Sequence, residues 1–357
     1  MYRNLNTGVI EVENELTRTE AQEIAGMNSI HTLQFASALH EDSYQHIHEL
    51  VLPSCPQLTV RAYHFHNQVC DLAFVKQLPE LRQLKIRCDG QFDHLDALAS
   101  LDQLQKLNLR LSQLDRFDIL QQINPALQSL TLGKTASKKP SLQGISRFTE
   151  LKELTIEGHH KHIDELARLQ HLHKLSLRYM TLPNLDFLLE LTELWSLQLH
   201  LGGTTQLDAL GKLSQLKSID LAQIRGLEQL DFLSTMTSLQ FIQIGAMPHI
   251  HELPPLHLLH HLRKIELYNM KGLRKLDQLQ TAPALTEFVQ REAWEMEADD
   301  YIPLLENPAL ERAYVHLRNE KKWTRFQHLL KHYGKKDAST EQVAQRTSWF
   351  GIDFPFE

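Results

Sequence analysis

The chain has 357 residues, of which 42% are hydrophobic and 23% are charged, a composition that is typical of a folded globular protein. Its formal net charge of −7 argues against nucleic-acid binding, which normally requires an excess of basic residues. No segment approaches the roughly 18 uninterrupted apolar residues of a membrane-spanning helix, so no membrane partner is expected.

The three cysteines, Cys55, Cys70 and Cys88, are an odd number without the spacing of metal ligands. Such cysteines are typical of buried side chains in a reducing compartment rather than of a disulfide framework. Residues 1–20 also lack the apolar core of a secretory signal. Together these features predict a cytoplasmic location.

Residues 1–29 precede a series of repeats and have a pattern of their own. "TGVIEVE" predicts a short strand, and "TEAQEIAGM" predicts a helix with Thr19 as its N-cap and Gly26 near its end. Because the first unit of a repeat array would otherwise expose its apolar face, this segment is interpreted as an N-terminal cap.

A six-residue pattern, L-x-x-L-x-L, then recurs every 21 to 25 residues along most of the chain. Its first leucines are Leu81, Leu104, Leu127, Leu151, Leu172, Leu194, Leu216, Leu239, Leu262, Leu285 and Leu310. "LTVRAY" at residue 58, "LTEFVQ" at 285 and "LERAYV" at 310 are degraded copies, and "IHTLQF" at 30 is a candidate first copy. Self-similarity at such a period predicts a repeat architecture of about 12 units.

The spacing within one repeat predicts its structure. In "LHKLSLR", Leu175 and Leu177 alternate with Ser176 and Arg178, as in a short strand with one apolar face. The leucines at intervals of three within residues 182–191 favour a short helical or 3₁₀ return segment. Neither piece buries its apolar face alone, so stacked units would share one core between parallel strands and return segments.

This pattern resembles the leucine-rich-repeat family, in its short internalin-like class of about 22 residues. "LDALGKLSQLKSIDL" (207–221) and "LDFLSTMTSLQFIQI" (230–244) carry the resemblance most clearly. It implies an α/β solenoid, a horseshoe with a parallel β-sheet on the concave face and short helical or 3₁₀ segments on the convex face. The alternative is a compact helical protein that is merely rich in leucine.

One column departs from the family, which places an asparagine five residues after the middle leucine of each strand. The column reads Asp89, Ser112, Thr135 and His159, and then Met180, Gly202, Ile224, Met247 and Met270. We expect the earlier side chains to bond to backbone groups of the turns and the later ones to extend the core. A methionine-lined binding strip is the alternative.

The periodicity stops after Val315. "NEKKWTRFQHLLKHYG" predicts an amphipathic helix over the last repeat, with Gly334 at the position after its end. The tail carries Trp349, Phe350, Phe354 and Phe356, which would either pack back on the array or contact a partner. The predicted domains are therefore residues 1–29 as an N-terminal cap, 30–316 as the repeat array and 317–357 as a C-terminal cap.

No catalytic motif is present. "LHLGGTTQ" lacks the lysine and hydroxyl residue of a phosphate-binding loop, and no nucleophile elbow or zinc-protease helix occurs. The 21 histidines cluster in "EGHHKHIDEL" (157–166) and "PHIHELPPLHLLHHL" (248–262), which we interpret as solvated loop residues rather than a metal site. The chain is thus predicted to be neither an enzyme nor a holder of a cofactor or metal.

The concave face is the candidate binding site, because the third, fifth and seventh residues of each repeat lie side by side there. The predicted partner-binding residues are Lys85, Arg87, Lys106, Arg110, Lys174, Arg178, His200, Phe241 and Tyr268. Arginine and tyrosine are frequent interface anchors, and the basic N-terminal part would suit an acidic protein surface. Ordinary solvated strand residues are the alternative.

The predicted function is that of a non-catalytic scaffold or regulator that binds a protein partner through the concave face. An immunity- or inhibitor-type protein that blocks a toxin or an enzyme is a narrower version of it. A small enzyme or sensor activity in the terminal caps is a remote alternative. No nucleic-acid partner is expected.

Overall fold

The computed structural model describes residues 1–5, 8–63 and 69–339. The aromatic tail, with its predicted docking onto the array, lies outside these residues. The chain forms two compact units, residues 1–198 and residues 199–357. This division lies inside the repeat array, so the predicted boundaries after residues 29 and 316 stay predictions.

Unit 1 is built from short strands, each followed by a return segment. Its strands are β1 (Tyr2–Asn4), β2 (Val9–Val12), β3 (Thr32–Phe35), β4 (Thr59–Tyr63), β5 (Cys70–Asp71), β6 (Gln83–Cys88), β7 (Phe92–Asp93), β8 (Lys106–Leu111), β9 (Ser129–Leu132), β10 (Glu153–Glu157) and β11 (Lys174–Arg178). The main sheet has the order β1-β2-β3-β4-β6-β8-β9-β10-β11. Among the described residues of this unit only the β1–β2 pair is antiparallel, and β5 pairs with β7 in a separate parallel ribbon.

The return segments of unit 1 are helical first and 3₁₀ later. The helices are α1 (Arg18–Ala25), α2 (Glu41–His46) and α3 (Leu52–Ser54), with a π-helical turn at Ile47–Val51. The 3₁₀ segments are Leu72–Gln77, Leu95–Ser100, Asp118–Gln121, Ile145–Arg147, Ile163–Arg168 and Asp186–Glu190. They confirm the short return segments that the triplet spacing of leucines predicts.

The boundary between the units falls within β12 (Ser196–His200). Unit 2 continues with β13 (Ser218–Ala222), β14 (Phe241–Gly245), β15 (Lys264–Tyr268), β16 (Glu287–Arg291), β17 (Arg312–Val315) and β18 (Lys336–Asp337), paired in this order and all parallel. Its 3₁₀ segments are Asp208–Lys212, Asp231–Thr235, Asp277–Thr281 and Ala298–Tyr301, and its helices are α4 (Ile302–Leu305) and α5 (Glu320–His332).

The core lies between the sheet and the return segments in each unit. Leu175 and Leu177 of β11 are buried, as are Leu188 and Leu191 of the following return segment. Truncating one such leucine to alanine typically costs about 2–5 kcal/mol, because it removes apolar contacts and leaves a cavity. The strand-and-return architecture predicted from the leucine spacing is thus confirmed.

Both ends follow the sequence pattern with one correction. Helix α1 begins two residues earlier than predicted, since Thr17, not Thr19, is the N-cap and forms a capping box with Glu20. At the other end the predicted helix is confirmed as α5, in which Phe326 packs edge-on to Tyr301 at 5.5 Å. Within the described residues no helix is long and apolar enough to cross a membrane.

The register of β4 corrects the repeat alignment at residue 58. Thr59 pairs with Gln83 and Arg61 pairs with Lys85, so Gln57 rather than Leu58 occupies the first repeat position. The degraded pattern conceals this shift because both neighbouring residues of Val60 are polar. The correction places Arg61 on the same face as the predicted binding residues.

The column that departs from the asparagine pattern behaves as expected. Ser112 donates to the Asp89 carbonyl, and Thr135 donates to the Ser137 carbonyl. The later members Met180, Ile224, Met247 and Met270 are all buried, so they fill the core. His159 likewise bonds to backbone, with its Nε2 3.0 Å from the Gly133 carbonyl oxygen. Because it is only 3% exposed, it corrects the interpretation of the histidines in residues 157–166 as solvated loop residues.

A left-handed residue directly before this column closes the turn in successive repeats. Gly158, Gln223, Ala246 and Asn269 have positive φ, and their N–H groups donate to the last residue of the next strand at 2.8–3.1 Å. Backbone bonds of this kind satisfy turn groups that an asparagine side chain would otherwise serve. Gly158 alone among the four has no Cβ to strain this conformation.

We expect Gly158→Ala to lower the free energy of unfolding by about 1 kcal/mol, because φ of +80° is unfavourable for alanine. The neighbourhood has room for the new methyl group, whose nearest contact would be 3.6 Å away. Urea denaturation measures the change, and Ala246→Gly is the reciprocal control, expected to be neutral or stabilising. Equal losses in both variants would contradict the conformational explanation.

Candidate functional site

We call the side of the sheet away from the core the open face. Within each unit, register places the predicted partner-binding residues on this face. The side chains differ in exposure: Lys85, Arg87 and Lys106 are exposed, while Arg110, Lys174, Arg178, His200 and Tyr268 are half-buried. Phe241 is only 1% exposed.

Phe241 is therefore a correction to the predicted site. Its ring fits between neighbouring strands of unit 2, and the Lys264 ammonium group lies 5.8 Å above its centroid. A buried ring in this position supports the side chains above it rather than meeting a partner. Tyr268 remains half-buried because it lies flat over Gly245, where a Cβ would come within 1.9 Å of the tyrosine ring.

Three cations form what we call the cation row of unit 1: Arg61, Lys85 and Lys106. Arg61 and Lys85 are directly paired across β4 and β6, and Lys106 lies on the next strand, beside Gln83. Although the side chain is exposed, partial desolvation of its ammonium group, together with the charges of Arg61 and Lys106, lowers the pKa of Lys85. No carboxylate of the described residues forms an ion pair with any of the three.

Arg61 is the member that sequence analysis missed, and it is held firmly. Its guanidinium group donates to the Gln34 Oε1 at 3.1 Å and lies 4.8 Å from the centre of the Tyr63 ring. The Tyr63 hydroxyl donates to Glu11, and burial together with this bond raises the pKa of Tyr63 to about 12. A guanidinium held on one edge keeps its other edge available to a carboxylate.

Farther along unit 1, Arg110 is neutralised internally. Its Nη1 lies 2.6 Å from the Oε2 of Glu157, which is only 5% exposed. The arginine reaches this carboxylate by crossing Gly133, where a Cβ would come within 2.5 Å of the Arg110 Cγ. Lys174 is likewise paired, with Glu153 at 2.8 Å. The predicted cations of the open face are therefore not equivalent.

Several charged groups on the open face of unit 2 are paired within the unit. The His200 Nε2 lies 2.9 Å from Asp220, and Lys264 lies between Glu266 and Glu287 at 2.8 and 2.9 Å. Arg312 also pairs with Glu287, at 2.6 Å. The two cations overcome the effect of burial on Glu287 and lower the pKa of its carboxyl group.

The histidine-rich segments do not assemble a metal site within residues 1–5, 8–63 and 69–339, where no group of three or more possible ligands is suited to hold an ion. His160, His162, His249 and His251 are exposed, as expected of loop residues. His171 and His173 both lie near the Glu193 carboxylate, and hydrogen bonding from His171 lowers the pKa of that group.

Several solved structures have a similar fold. An internalin, InlF from Listeria monocytogenes, is 19% identical with a TM-score of 0.51, over 85% of this chain and 90% of that one. A leucine-rich-repeat protein of Leptospira interrogans is 17% identical with a TM-score of 0.52, over 91% and 93%. TLR13 in its complex with ssRNA13 is 14% identical with a TM-score of 0.53, over 87% of this chain and 50% of that one.

At the level of sequence, no family model and no curated protein matches the chain. The likeness to solved structures, together with the stacked strands and 3₁₀ segments of each unit, shows the fold. The chain has a leucine-rich-repeat fold, like that of the internalin and of the Leptospira protein. The fold that the leucine spacing and the family resemblance predict is thus confirmed.

We expect Arg110→Met to lower the free energy of unfolding by about 2 kcal/mol, since it leaves the Glu157 carboxylate buried without its partner. The double variant Arg110→Met/Glu157→Gln should recover part of this loss, because the uncompensated charge is gone. Urea denaturation of the two single variants and the double variant closes a thermodynamic cycle. Strictly additive effects would show that the two side chains are not coupled.

The lowered pKa of Glu287 predicts a component of acid sensitivity. Because the folded-state pKa lies below its usual value of 4.5, the carboxylate contributes stability above that pH, and the contribution disappears as pH falls through the folded-state value. Glu287→Gln should therefore flatten the fall in stability below about pH 4.5, whereas the exposed Glu311→Gln should not. An unchanged pH profile for Glu287→Gln would contradict the assignment.

Proposed function

We propose that the protein is a non-catalytic interaction scaffold or regulator, which binds an acidic protein partner on its open face. The observation that carries the proposal is the cation row of Arg61, Lys85 and Lys106, which forms no ion pair with any carboxylate of the described residues, although the charge of Arg61 acts on the Glu11 carboxylate. Like charges on directly opposed strand residues destabilise a sheet. A partner that supplies carboxylates would relieve this repulsion in unit 1.

The surroundings of the cation row favour an interface. Arg61 is already ordered by Gln34 and Tyr63, so it loses little side-chain entropy when a ligand binds. Concave sheets of stacked repeats are the surfaces that such proteins generally use. The basic row within a chain of net charge −7 would also orient an acidic partner during encounter.

The inhibitor-type version of the proposal differs only in the identity of the partner, which would be an enzyme or toxin with an acidic surface around its active site.

A cytoplasmic location is supported by the free thiols of Cys55, Cys70 and Cys88, since a reducing compartment keeps thiols unpaired. Burial raises the pKa of Cys70 to about 12, so this thiol is chemically inert at neutral pH.

The test is affinity capture from cell extract, followed by a binding titration with the purified captured protein. The triple variant Arg61→Glu/Lys85→Glu/Lys106→Glu should bind at least about tenfold more weakly, mainly through slower association. Lys138→Glu/Lys212→Glu/Lys271→Glu is the matched control, because it changes the charge equally at exposed lysines outside the open face.

Equal binding by wild type and by the cation-row variant would contradict the proposal. Stronger binding to a single-stranded oligonucleotide than to any protein would reassign the row to nucleic acid, as in the TLR13 complex with ssRNA13. Higher ionic strength should weaken binding to wild type more than to the variant, because exposed charges are screened.

A further inference from the structure

A second group of cations lies at the strand ends of unit 1, around an exposed aromatic ring. Tyr179 is 43% exposed. The Lys134 ammonium group lies 5.3 Å from its ring centre, and the Arg178 guanidinium carbon lies 5.9 Å away. Lys134 lies two residues after the end of β9 and Arg178 is the last residue of β11, so the ring lies between cations from two different repeats.

Neither cation has an anionic partner. Lys134 and Arg178 form no ion pair with any carboxylate of the described residues. The Arg178 Nε is shielded from solvent and makes no hydrogen bond. Glu157 is the cross-strand neighbour of Arg178, but its carboxylate is engaged by Arg110. A half-buried arginine in this state is one contact short of satisfying its donors.

We infer that Lys134, Arg178 and Tyr179 form a second anchor for the same acidic partner. The inference rests on the proposed function of the open face. The two cations would take a carboxylate of the partner, and the tyrosine ring would stack against the apolar atoms beside it. Tyrosine and arginine together are the residue types that most often dominate interface energies.

The spacing of the two cation groups restricts the partner. Lys85 on β6 and Arg178 on β11 are four strand steps apart, which corresponds to roughly 19 Å at about 4.8 Å per step. Between them the charges are already paired, Arg110 with Glu157 and Lys174 with Glu153. The matching ligand is a peptide segment with two acidic clusters, separated by an uncharged stretch of that length.

The positive φ of Tyr179, +57°, belongs to the turn rather than to a binding site. Similar values recur at Leu201, Gln223, Ala246 and Asn269. This conformation provides a useful variant, because Tyr179→Gly relieves the strain while it removes the ring. Stability and binding should then change in opposite directions.

The experiment uses the full chain and three fluorescein-labelled peptides, measured by fluorescence anisotropy at low ionic strength. One peptide has a single block of two glutamates. The other two have two such blocks, joined by a Gly/Ser spacer of either one or ten residues. With the one-residue spacer the outermost glutamates are four residues apart, at most about 14 Å, so only the longer spacer reaches across roughly 19 Å, and its peptide should bind about tenfold more tightly than the single block.

The variants separate this inference from the proposed function. Lys134→Ala/Arg178→Ala and Tyr179→Gly should each reduce the affinity for the long-spacer peptide to that for the single block. Neither variant should change the affinity for the single block. Tyr179→Gly should be at least as stable as wild type, which separates a binding role from a structural one. Lys138→Ala/Lys139→Ala, at exposed lysines of the same loop, should retain the full spacer effect.

Two outcomes would overturn the inference while the proposed function stands. The first is that the single block binds through the cation row and the long-spacer peptide binds no more tightly than the single block. The second is a gain that persists in Lys134→Ala/Arg178→Ala. If the single block fails to bind, or binds equally to Arg61→Glu/Lys85→Glu/Lys106→Glu, the proposed function itself fails and the second anchor fails with it.

Discussion

The structure depends on the burial of leucines that no single repeat can bury alone. A strand of five residues with two inward leucines, such as β11, and a 3₁₀ segment of similar length have too little apolar contact to be stable in isolation. When the repeats stack, the leucines of each strand and each return segment share one core. Burial at roughly 25 cal/mol per Å² of apolar surface then favours a regular spacing between strands.

That regular spacing decides what the open face can do. Parallel strands about 4.8 Å apart bring the outward residues of neighbouring repeats within reach of one another. The residues on the neighbouring strands therefore decide whether a charged side chain has an oppositely charged partner. In unit 2 the carboxylates of Glu266 and Glu287 balance the basic residues beside them. In the described part of unit 1, Arg61, Lys85 and Lys106 form no ion pair, and Glu11 is the carboxylate on which the charge of Arg61 acts. The difference between the two faces is therefore one of pairing as well as composition.

The turns show how one architecture tolerates the loss of a family-specific interaction. Asparagine side chains would bond to the turn backbone, whereas Met247 and Met270 are apolar and buried. Left-handed residues before them, such as Ala246 and Asn269, donate backbone bonds to the next strand. Each non-glycine residue in this conformation carries a modest cost, which the added burial of methionine offsets.

The sequence by itself determined the period of the repeats, the strand-and-return structure of each repeat and the face on which Lys85, Arg110 and Arg178 lie. A period of 21 to 25 residues and alternation within strands are local properties, so they can be deduced from the order of residues alone. The sequence pattern misplaced the register at β4, where the leucines of the repeat are degraded. For this reason Arg61 was not recognised as a residue of the open face. Only the tertiary structure decided the burial of Phe241 and His159, and the pairing of Arg110 with Glu157 across two strands. These features depend on which side chains meet between repeats, and the sequence specifies that only after the strands are placed side by side.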